Sequence, residues 1–268
     1  MQLGSVLKQI IKDKEKLVEE TKSKVSLEIL MRKASKINNP IDFKNIFKSD
    51  EVSLIAEIKR SSASAGVILP ELNLSKITNT YVENGVSAIS ILTEKTRFGG
   101  SLSDLKEVSS ICKRNNVPVL QKDFIFDDYQ IYEGAINGAS AALIIVSILN
   151  EKKLNQLIKT CKELSLTPLV EIFNEDELKL ALDNGADVIG INNRNLNNLE
   201  TSLKVFEKLS PKVPKDKILI SESGIKTIED VKIMSEQGAD GVLVGESILK
   251  SNKINDHIKK LSNIKKCK

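Results

Sequence analysis

The sequence predicts a closed parallel (β/α)8 barrel preceded by an N-terminal helical extension. From Val52 onward, eight short apolar runs alternate with amphipathic stretches of helical period. The runs are apolar on both faces, as a parallel sheet covered on both sides requires. Charged residues gather at the C-terminal ends of these runs, where such barrels place their sites. Residues 1–268 are expected to form a single barrel domain, with residues 1–50 as the extension. An open doubly wound sheet is the alternative. It calls for a G-x-G-x-x-G turn after the first strand, and Ser61-Ser-Ala-Ser-Ala-Gly66 contains none.

In the extension, Leu7, Ile10, Ile11, Leu17 and Val18 recur at helical spacing, and a second helix is expected over about Ser26 to Ser35. Asn38-Asn-Pro40 breaks the pattern. Both helices need a partner surface for their apolar faces. Strands are expected to begin near Val52, Ala88, Pro118, Ala141, Thr167, Asp187, Lys217 and Gly241. Helices are expected over 72–84, 101–114, 127–137, 151–164, 174–184, 201–209 and 227–237. Asn84-Gly85, Asn184-Gly185 and Gln237-Gly238 suit left-handed helix ends. Ser101 and Asn174 suit helix starts, because their short side chains can accept from the first free amides.

Composition removes several function classes. No run of about 18 apolar residues exists, so no transmembrane helix is expected. The N-terminal segment lacks a signal-peptide pattern, and a cytoplasmic protein is expected. Cys112, Cys161 and Cys267 are odd in number and widely spaced, which opposes a disulfide framework or a zinc site. The one histidine, His257, lies in a lysine-rich helix and reads as solvated. Net charge is +4 and aromatics are only 4% of the chain, a poor match to a nucleic-acid surface. A small anionic ligand fits the modest positive excess better.

The charged strand ends carry the chemistry. Side chains two apart on a strand share a face, so Glu57 and Lys59 point the same way. Lys122 ends the third strand and Glu171 the fifth. Asn192 and Arg194 follow on the sixth, Glu222 and Ser223 on the seventh. Charge on an inward face is costly to desolvate, so its repetition on several strands points to a site. Gly224 and Gly245 follow the last two strands, where barrels of this kind commonly hold phosphate. Two lysines and two carboxylates permit acid–base work on a phosphorylated substrate. A Schiff-base role competes for Lys122.

At these residues the chain resembles the indole-3-glycerol-phosphate synthases of tryptophan biosynthesis. The resemblance covers the whole chain and rests on Ile55-Ala-Glu-Ile-Lys-Arg-Ser-Ser62, Leu92-Thr-Glu94 with Phe98-Gly-Gly-Ser-Leu102, and Pro118-Val-Leu-Gln-Lys-Asp-Phe124. It continues through Leu169-Val-Glu171, Gly190-Ile-Asn-Asn-Arg-Asn-Leu196, Ser221-Glu-Ser-Gly-Ile225 and Val244-Gly-Glu246. It implies ring closure, decarboxylation and dehydration of 1-(2-carboxyphenylamino)-1-deoxyribulose 5-phosphate, with no cofactor and no metal. Lys122 is then the general acid, Lys59 holds the substrate carboxylate and shares in proton transfers, and Glu171 assists dehydration. Asn192 positions the ring side, and Glu57 tunes Lys59 and helps deprotonate. Arg194, Glu222 and Ser223 line the pocket. Ser62, Gly224, Gly245 and Glu246 hold phosphate, and Phe98 and Phe124 face the aryl ring. The chain departs from the family pattern at Ala63, where proline is common, and at Phe173, where histidine is common; it also has no tryptophan. A monomer is expected, and the sequence is silent on association with other enzymes of the pathway.

Two other readings meet these residues less well. The related phosphoribosylanthranilate isomerases use a Cys/Asp pair on strands one and six, which here carry Glu57, Lys59 and Asn192. A barrel kept only as a scaffold has no need of the lysines and glutamates.

Overall fold

The computed structural model describes residues 4–62, 66–68 and 71–267. Its centre is a closed barrel of eight parallel strands. They are β1 (Ser53–Ile58), β2 (Ala88–Leu92), β3 (Val119–Lys122), β4 (Ala141–Ile145), β5 (Thr167–Ile172), β6 (Val188–Asn192), β7 (Ile218–Glu222) and β8 (Gly241–Val244). Ile55 of β1 pairs with Ala88 of β2 on one side and Leu243 of β8 on the other, which closes the ring. The predicted alternation therefore holds, and closure rather than an open sheet removes the edge strands.

The helices are α1 (Ser5–Lys24), α2 (Leu27–Ala34), α3 (Leu74–Glu83), α4 (Leu102–Arg114), α5 (Asp128–Ile136), α6 (Glu151–Glu163) and α7 (Glu175–Asp183). There follow α8 (Lys204–Leu209), α9 (Ile228–Glu236), α10 (Glu246–Leu249) and α11 (Ile254–Ser262). Ser101 and Asn174 start helices as expected, accepting from the amides of Asp104 and Glu177. Gly85, Gly185 and Gly238 follow helix ends with φ of 80°, 72° and 90°. One boundary differs: α8 begins at Lys204, because Thr201 is held in a bridge to Arg194. A 3-10 helix over Phe43–Lys48 and a two-residue hairpin, Ser61–Ser62 with Gly66–Val67, escaped the sequence pattern. Both are too short for a periodicity to register.

Strand alternation divides the apolar residues into two shells. Leu54, Ala56 and Ile58 face the surrounding helices, whereas Ile55, Leu120, Leu143, Leu169, Val188, Ile220 and Leu243 fill the barrel interior. Phe43 and Phe47 join the interior cluster, ring centroids 5.7 Å apart and edge-on. Phe47 fits because Gly241 has no side chain; a Cβ there would lie 2.8 Å from the ring. Burying each phenylalanine contributes about 1.5–3 kcal/mol.

The partner surface for α1 is the opposite, C-terminal mouth of the barrel. Leu7 and Ile10 join the interior cluster there. Gly4 N donates to Asn197 Oδ1 at 2.6 Å, Lys14 pairs with Asp123 at 2.7 Å, and Lys22 pairs with Asp127 at 2.7 Å. Tyr129 Oη donates to the carbonyls of Thr21 and Val25. The helix is thus tied at its start, middle and end.

Cys112 and Cys161 are buried on helices and Cys267 is exposed. His257 is not freely solvated: it is half-buried on α11, with Nε2 buried and unbonded. No helix among the described residues is long and apolar enough to cross a membrane.

Candidate active site

The inner alternation that fills the barrel also builds its mouth. Two residues beyond Ile55, Leu120, Leu169 and Ile220 come Glu57, Lys122, Glu171 and Glu222, all on the inside. Lys122 Nζ donates to Glu222 Oε2 at 3.1 Å and lies 3.7 Å from Glu171 Oε2. Lys59 Nζ donates to Glu57 Oε1 at 2.5 Å. Asn192 is buried at the end of β6, its Oδ1 accepting from the amide of Arg194 at 3.0 Å.

Burial and charge act against each other here. Burial alone would lower the Lys122 pKa, but Glu222, Glu171 and Glu57 outweigh it and raise it. Burial would raise Glu57; Lys59, Lys122 and Arg194 bring it below the ordinary carboxylate value. Glu222 goes the other way, pushed up to about 7 by burial, with Glu171 and Glu57 adding repulsion that Lys122 only partly offsets. Its Oε1 has no hydrogen-bond partner, and a Cβ on Gly190 would stand 2.1 Å from that atom. Glycine at 190 is what leaves room for the Glu222 carboxylate.

This arrangement has a consequence for stability. Folded Glu222 keeps a proton that the unfolded chain releases near 4.5. Its contribution to stability therefore falls as pH rises from there to about 7. Half-buried Glu133, also pushed up to about 7 by burial, adds to the same slope, whereas Glu57 acts only below the ordinary value. Glu222→Gln is expected to flatten the decline. Denaturant titrations at about pH 5 and about pH 7.5 check this, and an unchanged slope would contradict it.

Above the charges lies a cavity of about 660 Å³. Glu57, Lys59, Lys122, Glu171, Asn192, Arg194, Ser223, Gly224, Gly245 and Glu246 all line it. Phe98 and Phe124 form one wall, their ring centroids 6.3 Å apart. Leu7 and Ile10 of α1 roof it, with Leu196 and Leu199 of the β6–α8 loop. At the end near β7 and β8, Lys226, Ser247 and Lys250 join Gly224 and Gly245. Gly224 has φ +84°, and a Cβ there would lie 2.8 Å from Thr201. A Cβ on Gly245 would lie 2.6 Å from Glu57 Oε1. Lys250 pairs with Glu246 at 2.7 Å, holding the Glu246 carboxyl below its usual value.

Two sequence-predicted residues stand apart from this set. Glu222 does not line the cavity; it is 1% exposed and sits beneath Lys122. Ser62 belongs to the short hairpin, and its side chain, like all of Ala63, lies outside the described residues.

The model of the family described as "Indole-3-glycerol phosphate synthase" matches residues 7–261. The chain belongs to the indole-3-glycerol phosphate synthase family. It is 38% identical over 257 residues to the synthase of Acetivibrio thermocellus, covering 95% of this chain and 98% of that one. It is 46% identical over 222 residues to the synthase of Caldanaerobacter subterraneus subsp. tengcongensis, covering 82% and 85%. Among solved structures, 3-hexulose-6-phosphate synthase from Salmonella typhimurium superposes with a TM-score of 0.63 at 18% identity. That alignment covers 78% of this chain and 96% of the other, and shows the shared barrel fold alone.

Within the synthase motifs, two carboxylates had no role from sequence. Buried Glu94 accepts from the amides of Thr96, Arg97 and Phe98 at 2.8, 2.7 and 3.1 Å, which shapes the loop carrying Phe98. Asp123 accepts from Phe124 N at 2.8 Å. An acidic residue directly after a strand and before an aromatic could have marked Asp123, and one in the loop just past a strand end could have marked Glu94, since carboxylates there commonly take up free loop amides.

Proposed function

We propose that this mouth converts 1-(2-carboxyphenylamino)-1-deoxyribulose 5-phosphate into indole-3-glycerol phosphate, carbon dioxide and water. The observation that carries the proposal is Lys122, a charged amine held at the cavity floor by Glu222 and Glu171. Its raised pKa keeps it protonated, which suits a proton donor and opposes a Schiff-base role that needs the neutral amine.

Lys122 gives a proton to the substrate carbonyl oxygen as the carboxylate-bearing ring carbon bonds to the carbonyl carbon. Positive charge spreads over the ring and its nitrogen, and this is the electron sink. Carbon dioxide leaves, and its bonding pair restores aromaticity. The new hydroxyl departs as water with a proton shared through Lys59, while Glu171 takes a proton from the adjacent methylene. Two protons enter and one leaves, matching the single proton consumed overall.

Lys59 clamps the substrate carboxylate before it is lost, and Glu57 keeps Lys59 in place. Asn192 and Arg194 orient the ring side, and Phe98 and Phe124 bound the aryl group. Gly224, Gly245 and Glu246, with Ser223 and Ser62, hold the phosphate end through backbone that lies open to it. Fixing both ends brings ring carbon and carbonyl carbon into a near-attack geometry. The same reading takes residues 1–268 as one barrel domain working as a cytoplasmic monomer. Incubating the purified protein with the substrate and following indole fluorescence tests the function. Product is expected, and none above background from folded protein would overturn it.

A further inference from the structure

We propose that Lys14 of α1 is a positioning residue for the reaction, acting through Asp123 on Lys122 and Phe124. The inference rests on the reading of Lys122 as proton donor. Asp123 directly follows Lys122 and is 4% exposed. Its Oδ2 accepts from Lys14 Nζ at 2.7 Å and from Thr93 Oγ1 at 2.6 Å, and its Oδ1 accepts from Phe124 N at 2.8 Å. The amide of Thr93 donates to the Lys122 carbonyl at 3.0 Å. One carboxylate therefore holds the turn between the proposed acid and the aryl wall, and the Thr93 segment holds it from the β2 side.

The two carboxylate oxygens thus serve three donors at once, from α1, the β2 loop and the chain beside Lys122. Lys14 is the cation that pairs with the carboxylate, and is itself 9% exposed. A buried ion pair is a weak source of net stability, but removing one partner strands the other charge. Asp123 without Lys14 is left buried without its cation, and the rearrangement that relieves it loosens Lys122 and the Phe124 ring. A misplacement on the order of 1 Å can cost about a hundredfold in rate. Lys14 and Asp123 are separated by 109 positions in the chain, so a helix outside the barrel sets the geometry of a strand end.

The test is a double-mutant cycle on the full chain: Lys14→Met, Asp123→Asn and the two combined. kcat is taken per site titrated with indole-3-glycerol phosphate, at a temperature where circular dichroism matches that of the unaltered chain. This counts only binding-competent molecules, so a merely structural role leaves it unmoved. Each single change is expected to lower kcat by about tenfold or more, with KM within about threefold. The combined variant is expected to fall no lower than the worse single one, because the two residues act as a unit. It leaves no lone charge in the core and so keeps the fold where a single change does not. A combined kcat within about twofold of the unaltered chain would overturn the inference. So would a combined loss equal to the product of the single losses. If the unaltered chain turns over and Lys122→Ala does not, either of those results removes this inference alone. No turnover by the unaltered chain, or full turnover by Lys122→Ala, removes the reading beneath it and the inference with it.

Discussion

Lys122→Ala is expected to abolish turnover, lowering kcat by about a thousandfold or more, with little loss of substrate affinity. The size follows from what the amine faces. It is the cation shared by Glu222 at 3.1 Å and Glu171 at 3.7 Å, and in the proposed reaction it faces the carbonyl oxygen as that oxygen gathers negative charge. The neighbouring Lys59 is paired with Glu57 and, in the proposed reaction, holds the substrate carboxylate rather than the carbonyl oxygen. Affinity survives because the phosphate end of the cavity is built after β7 and β8 and the aryl wall from the rings of Phe98 and Phe124, not from the Lys122 amine. Steady-state kinetics with the carboxyphenylamino substrate, beside a product-binding titration, separates the two effects. A kcat near that of the unaltered chain would refute Lys122 as the acid.

Glu171→Gln is expected to slow turnover by about a hundredfold and leave the fold intact, since the amide fills the same space. Glu171 sits on the inner face of β5, buried but lining the cavity, 3.7 Å from Lys122 Nζ. Loss of a base at the dehydration step should let the decarboxylated, still hydrated ring accumulate. Carbon dioxide release measured beside indole fluorescence would then show gas evolved ahead of product. An unchanged rate removes Glu171 from the catalytic set.

The barrel was legible because its pattern is local. Eight apolar runs and their helices announce themselves over windows of ten residues, and the charged strand ends stand out because burial makes them expensive. Placing Glu57, Lys122 and Glu171 together needed only alternation along each strand and ring closure. What stayed hidden depends on pairs distant in the chain. Glu222 reads as a pocket residue, yet closure puts it beneath Lys122 against Gly190, a depth that no single strand encodes. The apolar face of α1 asks for a partner without naming one, and Lys14 looks like any lysine on a polar helix. The hairpin at Ser61 and the bridge between Arg194 and Thr201 are too short to leave a period.

The path of α1 across the mouth has a further consequence for synthesis on the ribosome. Its anchoring partners are Asp123, Asp127 and Asn197, which lie 109, 105 and 193 positions from the residues they hold. At a translation rate of about 5–20 residues per second, α1 waits many seconds with Leu7, Ile10 and Val18 uncovered. The strands that receive it must first find one another around the ring. A segment translated before every strand of the barrel is thus among the last to reach its native place, and every nascent chain passes through an interval with its barrel unroofed.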